Sequence, residues 1–415
     1  MFITRATIQP SADGPLSGWP IAVKDNIDVA GLPTTGGTKY LTSNMKNEDA
    51  PVVSEIRRAG GTIVGKTNLH ELGHGISGIN PTFGTTRHPF DPALTVGGSS
   101  GGSALAVLFG AARIALGTDT GGSVRIPASY CGLLGYRPTA GRYSTAGVLG
   151  ISTTRDAVGL ISRSVSDIRL MDSVLAKNAA PAAVRVGPVG VLEETLQALD
   201  DVSRSHFIGA LNQAAGRGIE ISSISRSRHL DRCFELGLIV LAAETKQSIS
   251  MYLETNFALR SWRELVEASE TPDTRKILEK ARDTPVNFAE YNSAKRELRR
   301  LNEDFAASMA KSGIRTLAYP TVTSDPPVAQ ATPDIANTEQ QLKTIVMNST
   351  PATLYGNPAI SIPIGKHSQC GIPLGLTLEQ ISGDDFDLFE IAEQFTVVTR
   401  EPPGSPRSDG REQLQ

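Results

Sequence analysis

The chain has 415 residues, ordinary shares of apolar (40%) and charged (20%) side chains, and a net charge of −3. That balance leaves no basic footprint for nucleic acid or an acidic membrane surface, and no apolar run approaches the length of a membrane span. Its three cysteines, Cys131, Cys233 and Cys370, lie far apart and suggest neither a disulfide framework nor a zinc site; with no signal peptide in view, the expected compartment is the cytoplasm.

In chain order, Ile21-Ala22-Val23 is a short apolar run that delivers Lys24 to its C-terminal end, followed by the turn formers Asp25-Asn26. Pro51 to Arg58 predicts a helix with Pro in its first turn; Gly60-Gly61 stops it, and Thr62-Ile63-Val64 reads as the next strand. From Ser100 to Ala115 the chain is dominated by Gly, Ala, Ser, Val and Leu, with Arg113 its only charge, which predicts a buried helix with close neighbours. Alternation of such helices and short strands through the first part of the chain indicates α/β architecture. Residues 190–315 are more charged and helical in pattern. There Phe288, Tyr291, Ala294, Leu298, Leu301 and Phe305 recur at intervals of three or four, and Gly313 closes the helix. Strand signals return at Thr316-Leu317-Ala318-Tyr319-Pro320 and Ala359-Ile360-Ser361-Ile362-Pro363, so the C-terminal part is expected to rejoin the same sheet. The Pro-, Ser- and Arg-rich stretch 401–415 reads as a flexible tail.

Two patterns invite a metal or nucleotide reading. Gly60-Gly61-Thr62-Ile63-Val64-Gly65-Lys66-Thr67 satisfies the P-loop spacing, but a phosphate cradle needs a strand before the first glycine and a helix after the Lys-Thr. Here the order is reversed, which favours a plain helix-to-strand turn. His70-Glu71-Leu72-Gly73-His74 matches HExxH, the zinc-hydrolase pattern of two histidines one helical turn apart. Gly73, Gly75 and Gly78 argue against a stable helix, and the other histidines sit in no metal spacing. No metal and no cofactor are expected; a zinc hydrolase is kept only as a remote alternative.

The strongest signal is Thr118-Asp119-Thr120-Gly121-Gly122-Ser123-Val124-Arg125-Ile126-Pro127, preceded by Gly97-Gly98-Ser99-Ser100-Gly101-Gly102-Ser103. A serine behind two glycines lets several backbone N–H groups converge on a developing oxyanion. No local motif supplies the His/Asp partners of a familiar triad, so a lysine is the alternative base. A lysine serves only where a dry site and nearby positive dipoles keep part of its amine neutral near pH 7, and Lys24, at the end of a buried strand, fits that need better than the lysines at 275–311.

These residues resemble the amidase signature family. Pro20-Ile21-Ala22-Val23-Lys24-Asp25-Asn26-Ile27 is similar to its lysine strand, Gly97–Gly102 to its Gly/Ser signature, and Gly117–Arg125 to its nucleophile loop; Gly65–Asn68 and Gly356–Pro363 add to the likeness. The resemblance implies a single α/β domain over 1–400, with one large mixed sheet flanked by helices on both faces and a variable helical region at 190–315. It implies a Ser-Ser-Lys triad of Ser123 (nucleophile), Ser99 (bridging serine after a cis peptide bond) and Lys24 (base). It further implies an oxyanion hole from the N–H groups of Thr120, Gly121, Gly122 and Ser123, with Ser100, Asp119 and Arg125 in support. Lys66–Leu72 and Gly150–Asp156 are nearest to the indoleacetamide and mandelamide hydrolases. The implied ligand is therefore a small, primary, aryl amide, with His70 and His74 as candidate pocket residues. Urea-derived or dicarboxylic amides, and the amidase subunit of a tRNA-dependent amidotransferase, are the alternatives. Many members carry several helices before the lysine strand that help in packing or dimer formation, whereas this chain has about twenty residues there, a departure from the pattern that bears on assembly; a homodimer is carried as the expectation.

Overall fold

The computed structural model describes residues 1–177, 186–225, 227–256, 262–330, 343–367, 370–381 and 383–396; the expected tail at 401–415 lies outside them. The elements up to the end of the nucleophile region are β1 (Phe2–Ile8), β2 (Pro20–Lys24), α1 (Pro51–Arg58), β3 (Thr62–Thr67), α2 (Gly101–Leu108), β4 (Ile114–Asp119), α3 (Arg125–Tyr130), β5 (Leu134–Arg137), β6 (Ala157–Ser162) and α4 (Val165–Ala176). Then come β7 (Val189–Leu192), α5 (Glu193–Gln197), α6 (Asp201–Ala215), β8 (Ile221–Ile224), α7 (Ser227–Asn256), α8 (Trp262–Ala268), α9 (Pro272–Asp283), α10 (Phe288–Lys311) and β9 (Thr316–Pro320). A helix at Thr350–Tyr355, β10 (Ala359–Lys366), β11 (Pro373–Gln380) and a helix at Asp385–Thr396 follow.

The eleven strands among the described residues join one mixed sheet in the order β1-β3-β2-β4-β6-β5-β10-β11-β9-β7-β8. β2 runs parallel to β3 and β4 at the heart of one half, with Ile21 opposite Ile114 and Val23 opposite Leu116. Period-two alternation divides their side chains between two cores. Ile21, Val23, Ile114 and Leu116 enter the larger one, whereas Ala22 and Ala115 face Ala104, Val107 and Leu108 of α2. Small residues on both partners let α2 lie close to the sheet, and burial of each large aliphatic side chain opposite contributes roughly 1.5–3 kcal/mol. The same alternation turns Lys24 toward the side on which Ala22 and α2 lie. Because β2 and β4 are parallel, Lys24 and Asp119 end up at the same edge of the sheet, where open α/β sheets hold their ligands.

The helix at Pro51–Arg58 and the strand at Thr316–Pro320 have the expected bounds, and β9, β10 and β11 do rejoin the sheet. Three expectations need correction. The helix read over Ser100–Ala115 stops at Leu108, because Gly110 takes a left-handed φ of 70° and the chain enters β4 at Ile114. Phe288, placed on the buried stripe of α10, is 68% exposed at the start of that helix, while Ala294, Leu298 and Phe305 are buried. The helix-rich region also holds β7 and β8, and β1 precedes the lysine strand as an antiparallel edge against β3. Among the described residues no helix is long and apolar enough to cross a membrane.

Candidate active site

Lys24 is fully buried at the end of β2. Its Nζ donates to Ser99 Oγ at 2.7 Å and to Thr118 Oγ1 at 2.8 Å, and Asn26 Nδ2 donates to the same threonine oxygen at 3.1 Å. Burial pushes the Lys24 amine down to about 7, against the opposing pull of the Asp119 and Asp156 carboxylates. At neutral pH a large fraction of the amine is therefore uncharged.

Ser99 follows a cis peptide bond from Gly98 and is 1% exposed. Its carbonyl accepts the His70 N–H at 3.1 Å, and the next residue ties it to the nucleophile loop: Ser100 N–H donates to the Ser123 carbonyl at 3.1 Å. The Ser100 side chain gives α2 no cap hydrogen bond; its hydroxyl lies instead 3.4 Å from both the N–H and the carbonyl of Thr118.

The nucleophile loop is held from several sides. Asp119, at the end of β4, accepts Arg125 Nε at 3.0 Å and Arg125 Nη2 at 3.1 Å, and Arg137 donates to its backbone carbonyl. Burial opposes its charge, but the Arg125 and Arg137 guanidiniums outweigh that and hold the carboxyl well below the usual carboxylate range. Gly122 adopts φ +112°, and a Cβ there would lie 2.3 Å from Ser349 Oγ, so only glycine fits this turn. Ser349 in turn donates to the Gly121 carbonyl at 2.7 Å and accepts Arg125 Nη2 on its own carbonyl at 3.1 Å. Thr120 Oγ1 donates to Asp156 Oδ1 at 2.6 Å. Gly122 N–H, one of the four expected oxyanion donors, points to Asp119 Oδ1 at 2.9 Å. Arg125→Ala should destabilise the fold by about 3–5 kcal/mol, since it removes the closer of the two guanidiniums paired with the fully buried Asp119 charge; chemical denaturation checks this, and a loss under about 1 kcal/mol would show the pair to be dispensable.

The HExxH residues do not form a helix. Glu71–Gly73 is a single 3-10 turn with Leu72 at φ 53°, so His70 and His74 never share a helical face. Glu71 accepts the Ser269 hydroxyl at 2.9 Å and the Thr271 N–H at 2.8 Å, closing the α8–α9 junction rather than facing a substrate. His70 is held between Ser77 Oγ (3.2 Å) and Asp273 (3.3 Å). His74 Nδ1 contacts the Leu72 carbonyl at 3.0 Å, its Nε2 has no hydrogen-bond partner among the described residues, and burial lowers its pKa to about 4. The P-loop pattern likewise dissolves: Lys66 sits inside β3, fully buried, and its Nζ pairs with Asp25 at 2.8 Å and with the Pro33 carbonyl at 3.0 Å.

Several supports of the loop have no signature in the sequence. Thr118 and Asp156 lie within the family-like motifs but carry no signal of their own. Arg137 and Ser349 come from distant segments, and only the tertiary structure brings them to Asp119 and Gly121.

The family model described as Amidase matches residues 4–389. Mandelamide hydrolase of Pseudomonas putida is 34% identical over 95% of this chain and 81% of its own length, and indoleacetamide hydrolase of Pseudomonas savastanoi is 32% identical over 89% and 81%. The crystal structure of native peptide amidase from Stenotrophomonas maltophilia superposes with a TM-score of 0.78 at 26% identity, covering 94% of this chain and 85% of that one. With Lys24, Ser99 and the glycine-serine loop gathered at one sheet edge, and the likeness running almost end to end, the chain belongs to the amidase family and is a hydrolase of amide C–N bonds.

Proposed function

We propose that this enzyme hydrolyses a primary amide of a small aryl carboxylic acid to the acid and ammonia through Ser123, Ser99 and Lys24. The reading rests chiefly on the 2.7 Å contact between Ser99 Oγ and a fully buried Lys24 whose amine is brought to about 7. Ser123 Oγ attacks the amide carbonyl carbon while its proton passes to Ser99 Oγ and the Ser99 proton passes to Lys24 Nζ. Ser123 is buried, and among the described residues its hydroxyl has no hydrogen-bond partner; its link to Ser99 forms as the carbonyl arrives. The N–H groups of Thr120, Gly121 and Ser123 receive the oxyanion, and loss of one such donor typically costs about 2.7–4 kcal/mol. Collapse expels ammonia, which takes the proton back through the relay; water then attacks the Ser123 ester, with Lys24 and Ser99 again moving its proton.

The aryl preference is drawn from the likeness to mandelamide hydrolase and indoleacetamide hydrolase. His70 and His74, each buried with an Nε2 that makes no hydrogen bond among the described residues, stay candidate substrate contacts. Ammonia release from indole-3-acetamide, mandelamide, benzamide, malonamate and glutamine tests the reading. Release from an aryl amide, unchanged by EDTA, is the expected result. Release confined to malonamate or glutamine would move the substrate to the dicarboxylic or amidotransferase class, and EDTA-sensitive release restored by zinc would overturn the serine mechanism.

A further inference from the structure

One short segment, Ser152–Asp156, lies between the nucleophile loop and the helical layer. Its last residue faces the loop: Asp156 accepts Thr120 Oγ1 at 2.6 Å and is itself fixed by the N–H groups of Ile151 (2.7 Å) and Ser152 (3.0 Å). Ser152, Thr154 and Arg155 reach α7. There Glu244, 1% exposed, accepts the Ser152 hydroxyl, the Thr154 N–H at 3.1 Å, the Thr154 hydroxyl at 2.9 Å and the Tyr291 hydroxyl of α10 at 2.6 Å. Arg155 reaches the Gly237 carbonyl of the same helix at 3.1 Å and Thr353 Oγ1 at 3.3 Å. The approach is tight, for a Cβ on Gly150 would lie 2.5 Å from Asp156 Oδ2 and 3.2 Å from Ser248 Oγ of α7.

A carboxylate buried inside a helix interface is costly unless it is well hydrogen-bonded, and an apolar residue would fill the same space without that cost. Glu244 instead gathers two residues of the segment and one of α10, and the next link outward from that segment is the oxyanion loop. We propose that Glu244 is a positioning residue for the reaction: it fixes Ser152–Asp156, Asp156 fixes Thr120, and the Thr120 N–H stays aimed at the oxyanion. The inference rests on the oxyanion reading above. It makes the helical layer a determinant of turnover as well as of pocket shape.

Steady-state kinetics on the amide that the wild type hydrolyses decide it, using Glu244→Ala, Glu244→Gln, Thr120→Val and the doubles with Thr120→Val. Glu244→Ala should lower kcat about tenfold or more while KM moves less than about threefold, because the lost interaction serves the transition state. In the double variant the two losses should overlap rather than multiply, since both break the same line of contacts. Glu244→Gln, which replaces an accepting oxygen with a donating amide, should take an intermediate loss; its cycle with Thr120→Val decides the matter if Glu244→Ala does not fold. A kcat within about twofold of wild type, or losses that multiply fully, overturns the proposal. Ser123→Ala in the same assay separates the two levels: activity retained there would fall on the nucleophile assignment, whereas normal Glu244 variants beside an inactive Ser123→Ala would fall on Glu244 alone.

Discussion

Ser123→Ala should remove turnover, with kcat falling on the order of 10⁶-fold, as when a nucleophilic serine is deleted from a unit whose members act together. The fold should hardly respond. Ser123 lies at the tip of a loop whose shape is set by other residues: Asp119 and its two arginines, Gly122 in its left-handed turn, and Ser349 on the Gly121 carbonyl. Deleting one hydroxyl that none of these groups uses leaves all of them in place, so thermal melting should stay within a few degrees of wild type. The pairing of the two readouts is what discriminates. Loss of activity with a matching drop in melting temperature would make Ser123 a structural residue, and near-normal activity would mean that another group attacks the amide. Substrate affinity, measured by calorimetry on the inactive variant, should remain close to the wild-type KM, because the serine acts in the transition state more than in binding.

What could be read from the sequence was whatever is local. Ile21–Val23 declares a buried strand by its own composition, and Lys24 is noticed because a charge ends such a run. The nucleophile loop declares itself by two glycines before a serine. The edge strand Phe2–Ile8 escaped because its residues alternate only between partial burial and exposure, which leaves a weak apolar signal. Val189–Leu192 is too short to stand out against the helices around it, and it becomes a strand by pairing with β8 and β9. The same distinction holds in the site. That Gly122 N–H bonds to Asp119 depends on how the loop folds back on its own carboxylate, and no spacing rule encodes that. Lys66 reads as part of a helix-to-strand turn, yet it is a fully buried lysine paired with Asp25 beside the strand that carries Lys24. Glu244 is one of three glutamates in α7 until the fold sets four donor groups around it.

Lys24 gives the second large effect, and pH gives it a signature. With its amine at about 7, kcat/KM should rise about tenfold per pH unit below neutrality and level off above it, because only the uncharged amine accepts the relayed proton. Lys24→Met, which keeps the stem and removes the base, should lose about 10²–10⁴-fold at pH 8. Lys24→Arg should do no better, since a guanidinium stays protonated throughout. Stability supplies an independent check on the same group. The native amine sits below its ordinary value of 10.5, so between about pH 7 and 10.5 the unfolded chain binds more protons than the folded one. Wild-type stability measured against Lys24→Met should therefore climb with pH across that window, by up to about 1.4 kcal/mol per unit, and stay flat below it. At pH 7 the wild type still carries the full cost of desolvating the amine, so Lys24→Met should be no less stable there despite losing the contacts to Ser99 and Thr118. A stability difference that does not change from pH 7 to 9 would mean that Lys24 keeps an ordinary amine, and the rising limb of the rate profile would then have to belong to another base.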